Sequence, residues 1–171
     1  MKEILSRNIT HPDKIEDEFP DQGVALVVLN ARNQFLLVRQ AGEDERFGPR
    51  KGLWNIITET REPGELVNKT VNRGLEEETG QGRSDFIVME NTYRETNGLY
   101  KDKMGYPFKF RCCAMRYLGN SQEDPTLSFG SSDGEIDAYL WADWGKLENY
   151  KLEHGAKLVL QYYGRLLGFL S

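Results

Sequence analysis

The sequence is poor in the residues that build zinc sites, disulfide frameworks and membrane spans. It has two cysteines, Cys112 and Cys113, and two histidines, His11 and His154, in 171 residues. The cysteines are adjacent, and neighbours on a strand point to opposite faces, so a bridge between them would distort the backbone. They read as reduced strand residues of an intracellular protein, and no Cys/His spacing suits zinc. The longest apolar run, Val24 to Leu29, is six residues, whereas a membrane-spanning helix needs about 20. Nor does an apolar leader follow Met1-Lys2-Glu3-Ile4-Leu5-Ser6-Arg7, so the expected location is cytoplasmic, with no membrane partner. Basic side chains are in deficit, 22 Lys and Arg against 27 Asp and Glu, for a net charge of −5. Binding to a nucleic-acid backbone relies on Lys and Arg displacing counterions, so no nucleic-acid polymer is expected as a partner. Any phosphate bound here must be held by local geometry or by a metal ion.

What is present suits a globular α/β domain: 39% of the residues are apolar and 29% charged. The length predicts one domain over 1–171, with residues 1–21, polar and framed by Pro12 and Pro20, as an N-terminal arm or short edge element. Runs at Gly23–Leu29 and Gln34–Gln40 around Asn30-Ala31-Arg32-Asn33 read as a β-hairpin. Further strands are expected at Leu53–Ile57, Phe86–Arg94, Phe108–Leu118 and Ile136–Trp141, with a long loop over Gly119–Gly134. A helix is expected from Glu65 to Thr79, with Pro63-Gly64 ahead of it and Gly80 as its stop. A second is expected over His154–Leu170, where Val159, Tyr163, Leu166, Leu167 and Leu170 recur at helical spacing. That stripe is read as packing on the sheet rather than as a dimer face.

The first helix carries the chemistry. At about 100° per residue from position 74, Glu77 falls near −60° and Glu78 near +40°, while Glu76 points away at about 200°. Two carboxylates on one face repel and raise each other's pKa. A hard divalent cation relieves that, since Mg²⁺ bridges carboxylates to substrate phosphates. A bare acidic run is otherwise a solvated helix face.

The whole stretch WNIITETREPGELVNKTVNRGLEEETGQ, Trp54 to Gln81, resembles the signature of the Nudix hydrolases, which cleave nucleoside diphosphates linked to another moiety. That signature is a glycine, five residues, Glu, seven residues, then Arg-Glu-apolar-any-Glu-Glu-any-Gly-apolar. Glu65, Arg73, Leu75, Glu77, Glu78 and Gly80 fall in register, and the resemblance extends over roughly residues 22–145. It implies an α/β/α sandwich with a mixed β-sheet. It also implies Mg²⁺ or Mn²⁺ held by Glu77, Glu78 and a backbone carbonyl at Thr58 or Glu59, with Glu78 the ligand least able to be spared. Arg73 would orient the glutamates and Glu65 would brace the turn.

Three positions depart from the signature. Gln81 replaces the last apolar residue. Glu59 stands where the first glycine belongs, and Gly74 stands where a carboxylate belongs, on the face shared by Glu77 and Glu78. The resemblance implies that this missing carboxylate takes part in metal binding, so a replacement must come from outside the helix. Glu135 is the leading candidate as ligand or base, ahead of Asp133, Asp137, Glu123 and Asp124, and Glu59 is a further one because it enters the same loop. Arg50 and Lys51, with Arg46, are expected to meet substrate phosphates. The expected partner is a small-molecule nucleotide, and the family's tendency to dimerise leaves a homodimer open. Two functions remain: a metal-dependent hydrolase of a diphosphate linkage in a nucleotide derivative, or a catalytically impaired nucleotide-binding or regulatory module on the same scaffold.

Overall fold

The structure, a computed structural model, describes residues 5–8, 21–42, 51–96, 100–101, 107–119, 129–131 and 134–171. In chain order the elements are strands β1 (Leu5–Asn8), β2 (Asp21–Leu29), β3 (Phe35–Gln40), β4 (Trp54–Asn55) and β5 (Ile57–Thr60), then helix α1 (Val67–Thr79). Strands β6 (Phe86–Val88), β7 (Arg94–Thr96), β8 (Tyr100–Lys101), β9 (Pro107–Tyr117) and β10 (Ile136–Ala142) follow, and helix α2 (His154–Leu166) comes last. The sheet runs β1-β7-β9-β2-β3-β10, with β5 on β2, β4 on β3, and β6 and β8 on β9. Strands β2 and β9 are parallel and the other pairs antiparallel, so the sheet is mixed as expected.

Strand β2 is apolar without alternation because both of its faces are covered. Val24, Leu26 and Val28 pack with Val67, Val71 and Leu75 of α1. Ala25, Val27 and Leu29 pack with Val159, Leu160 and Tyr163 of α2. The two helices therefore flank the sheet; α2 ends at Leu166 rather than Leu170, and of the expected stripe Val159 and Tyr163 are core, Leu166 is 41% exposed, and Leu167 and Leu170 pack partly buried beyond the helix. Cys112 and Cys113 are buried free thiols in the opposite clusters, as the alternation of β9 requires.

The hairpin of β2 and β3 is turned by Asn30, whose Oδ1 accepts from the amides of Arg32 and Gln34 at 2.9 and 3.0 Å, and by Asn33 at φ 62°. It then opens as a fork. Only Leu29 pairs with Phe35, and the prongs are filled by β4 pairing with β3 and β5 pairing with β2. The single strand expected over 53–57 is thus two. The switch occurs at Asn55, whose buried Oδ1 accepts from the Ile56 amide at 2.9 Å where the chain changes partners. The strand expected over 86–94 is likewise interrupted. Asn91 adopts φ 57°, a conformation that asparagine tolerates, and Thr92 ties the turn to β9 through Ala114 at 3.1 Å.

Within residues 1–21, Leu5–Asn8 forms an edge strand on β7, while most of the arm lies outside the described residues. No helix among the described residues is long and apolar enough to cross a membrane.

Candidate functional site

Helix α1 has no side-chain N-cap; its entry is held by Glu65. The Glu65 carboxylate accepts from the Glu62 amide at 3.1 Å, from the Thr70 hydroxyl at 3.0 Å and from Arg73 Nη2 at 3.0 Å. The helix stops where the sequence indicates. Gly80 sits at φ 70° and its amide closes onto the Glu76 carbonyl at 2.9 Å, a left-handed cap that suits glycine.

Arg73 is the hub. Its Nη1 lies 2.7 Å from Glu59 Oε1 and 3.7 Å from Glu77 Oε2, and its Nη2 donates to the Thr60 carbonyl at 2.7 Å as well as to Glu65. One guanidinium thus joins the loop, the strand and the helix. The Arg73 hydrogen bond is the main cause that holds Glu65 down at about 2, helped by the Glu62 amide and Thr70 and opposed by burial.

The sign for stability follows. A carboxylate depressed on folding stabilises the protein fully above its ordinary value of 4.5 and loses that contribution as pH falls from there towards 2. Melting temperatures measured from pH 6 to pH 3 should therefore fall more steeply for the wild type than for Glu65→Gln. Parallel curves would mean that the Glu65–Arg73 pair contributes nothing.

The helix bearings place Glu78 inward and Glu76 outward, and they do so in the fold. Glu78 is 8% exposed, whereas Glu76 is exposed. The Thr58 amide donates to Glu78 Oε1 at 3.3 Å, and the Tyr139 hydroxyl of β10 donates to the Glu78 carbonyl at 2.6 Å. Thr58 is therefore at the site, with its amide turned to Glu78. Glu77 is partly exposed, beside Glu59 and Arg73.

Glu59, the further candidate from the sequence, lies against this helix. Strand β5 puts Ile57 and Glu59 on the α1 side of the sheet, opposite Leu26 and Val24. The Glu59 carboxylate accepts from Arg73 and, at 2.8 Å, from the Thr60 amide. Burial pushes its pKa up to about 7 and the neighbouring Glu77 adds to this, against the lowering effect of Arg73. Its carbonyl faces Gly23, where a Cβ would lie only 2.0 Å from the oxygen.

The other candidates are more scattered. Glu135 is exposed at the start of β10, and its carbonyl accepts from the Ala41 amide at 2.8 Å. Lys51 is exposed in the turn whose Gly52 amide donates to Gln40 at 2.8 Å. Since β3 runs against β2, Glu135 and Lys51 sit at the same end of the sheet as Gly23 and Glu59. Asp137 is committed to Arg39 at 2.7 Å. Arg46, Arg50, Glu123, Asp124 and Asp133 lie outside the described residues. Two cations had been passed over: Lys109 and Arg111 of β9, 5% and 3% exposed, each 3.7 Å from Glu95. Alternation along β9 puts them on the α1 side, with Arg111 level with Val24 and hence with Glu59. The sequence carries the signal, since Lys109 and Arg111 alternate with Phe108 and Phe110.

Among the described residues no three acidic, His or Cys side chains form a ready-made metal cage. The donor chemistry nevertheless fits a hard cation. Glu59 and Glu77 bring carboxylates together beside Gly74, Glu78 follows on the same helix, and the burial that chiefly raises Glu59, with Glu77 adding to it, is offset by positive charge.

A forked mixed sheet between two helices, with an acidic face on the first helix, defines the class of protein. A family model described as NUDIX domain matches residues 20–163, and the chain belongs to that family. Solved structures agree on the fold. An Ap4A hydrolase from C. elegans, in a binary complex, is 16% identical with a TM-score of 0.64, over 85% of this chain and 96% of that one. The NUDIX domain of Shewanella oneidensis NrtR, complexed with ADP ribose, is 15% identical with a TM-score of 0.63, over 88% and 90%. A MutT protein from Methanosarcina mazei is 18% identical with a TM-score of 0.59, over 89% and 99%. A search of curated proteins finds no significant match.

Proposed function

We propose that this protein is a divalent-metal-dependent hydrolase that cleaves a diphosphate linkage in a nucleotide derivative. The observation that carries the reading is the Arg73 hub, which ties Glu65, Glu59 and Glu77 together and sets the acidic face of α1 against β5. Such a network costs desolvation and rigidity that a solvated acidic helix would not need. Family membership and neighbours that include an Ap4A hydrolase and an ADP-ribose complex support the same class.

Glu77 and Glu78 are the residues to hold Mg²⁺ or Mn²⁺, with the backbone at Thr58 beside them. A bound cation supplies neutralisation of diphosphate oxygens and a more acidic water. Arg73 keeps the carboxylates oriented, and Glu65 keeps Arg73 in place. Water attacks one phosphorus in line and the other phosphoryl group departs. Glu135 and Lys51 belong to the end of the sheet from which a substrate would be met, and Arg50 precedes Lys51 in the sequence.

The test is turnover of nucleoside triphosphates, dinucleoside polyphosphates and nucleotide sugars with Mg²⁺ and then Mn²⁺. Hydrolysis of at least one class is expected, abolished by EDTA and restored by excess metal. The alternative, an impaired module that binds nucleotides, is favoured by the two departures at Gly74 and Glu59. Nucleotide binding without turnover under either metal would select it.

A further inference from the structure

We infer that Glu59 is the third carboxylate of the acidic site, supplied from β5 across the gap that Gly74 leaves on α1. The inference rests on the hydrolase reading and deepens it.

Gly74 is buried on the helix face between Glu77 and Glu78, where any side chain would point at β5. A Cβ built there would lie 2.8 Å from Glu59 Cβ, 3.4 Å from its Cγ and 3.8 Å from Ile57 Cγ2. The space a residue at 74 would use is therefore filled by the stem of Glu59. The head of the same side chain ends beside Glu77, 2.7 Å from Arg73 Nη1. Glycine in mid-helix is unfavourable relative to alanine, and here it admits a side chain from the neighbouring strand. The two departures from the signature are thus linked: position 59 carries the glutamate, and its stem leaves no room for a Cβ at position 74.

Glu59 is also the better placed of the outside candidates. Strand β5 is clamped on β2 from Gly23 to Leu26, so the carboxylate stands on a rigid element. Glu135, by contrast, is exposed at the start of a strand.

The test is a double-mutant cycle on the full chain, read by Mn²⁺ affinity from calorimetric titration, by melting temperature and by turnover. Glu59→Gln should weaken Mn²⁺ at least tenfold, whereas Glu76→Gln, which removes the same charge from the outer face of α1, should not. Gly74→Glu alone should lower the melting temperature and leave Mn²⁺ affinity no better than wild type, because its Cβ collides with Glu59. Glu59→Gly should bind weakly. Adding Gly74→Glu to Glu59→Gly should bring Mn²⁺ affinity back to within about threefold of wild type and remove the thermal penalty. A residue that merely held Arg73 would not be rescued from position 74. Wild-type Mn²⁺ affinity in Glu59→Gln, or no recovery in a folded double variant, would overturn the assignment while the hydrolase reading stands. A wild type that neither binds Mn²⁺ nor turns over any substrate would remove that reading itself.

Discussion

Glu78→Gln is expected to lower kcat/KM by about 10³, or ~4 kcal/mol of transition-state stabilisation, without unfolding the protein. The substitution is nearly isosteric, and it leaves the surrounding contacts standing. An amide oxygen still accepts from the Thr58 amide, and Tyr139 donates to the Glu78 carbonyl, which the side chain does not touch. What disappears is one negative charge from a site that is 8% exposed, where water screens little of the effect. The control is Glu76→Gln, the adjacent carboxylate on the outer face. Steady-state kinetics and a thermal melt of both variants decide the matter. Equal activity in the two would show that the inward face of α1 has no special role.

The second large effect is structural. Gly23→Ala places a methyl group 2.0 Å from the Glu59 carbonyl oxygen and 3.1 Å from the Phe110 ring. Backbone cannot yield as the end of a long side chain can, so β2 and β5 must part at the position that carries Glu59. A cost of about 3 kcal/mol or more is expected for overpacking of this kind, which corresponds to a fall of about 6–12 °C in Tm for a chain of this size. Mn²⁺ affinity should fall with it, because Glu59 moves. Gly42→Ala, with nothing within 4 Å of the new Cβ, should melt within about 1–2 °C of wild type. A Gly23→Ala protein that melts as the wild type does would mean that β2 and β5 are not clamped as described.

The two variants divide the site into its parts. Glu78 stands on a helix that the sequence already marks by Pro63, Gly64 and Gly80. Glu59 stands where two strands pair closely at Gly23. The same division separates what pattern reading reached from what it did not. Helix α1, found at Val67–Thr79 against an expected Glu65–Thr79, announces itself through local chemistry: a turn, a 3.6-residue apolar repeat and a left-handed cap. The inward bearing of Glu78 follows from the same period. The strand interruptions at Asn55 and Asn91 were missed because both depend on which neighbour a strand finds.

The sequence by itself determined the class of fold, the two helices, most strands, the opposite facing of Cys112 and Cys113, and the register of Glu65, Arg73, Glu77 and Glu78. The elements and the facing of the cysteines rest on periodicity and local turn chemistry, and the register of the four charged residues rests on the resemblance of their stretch to the Nudix signature. The tertiary structure alone decided that the hairpin opens into a fork, that β5 enters it, that Lys109 and Arg111 lie level with the acidic strand, and that Glu59 fills the place left by Gly74. Positions 59 and 74 are fifteen residues apart. Their pairing is set by how a strand packs across a helix, a contact that neither segment encodes alone.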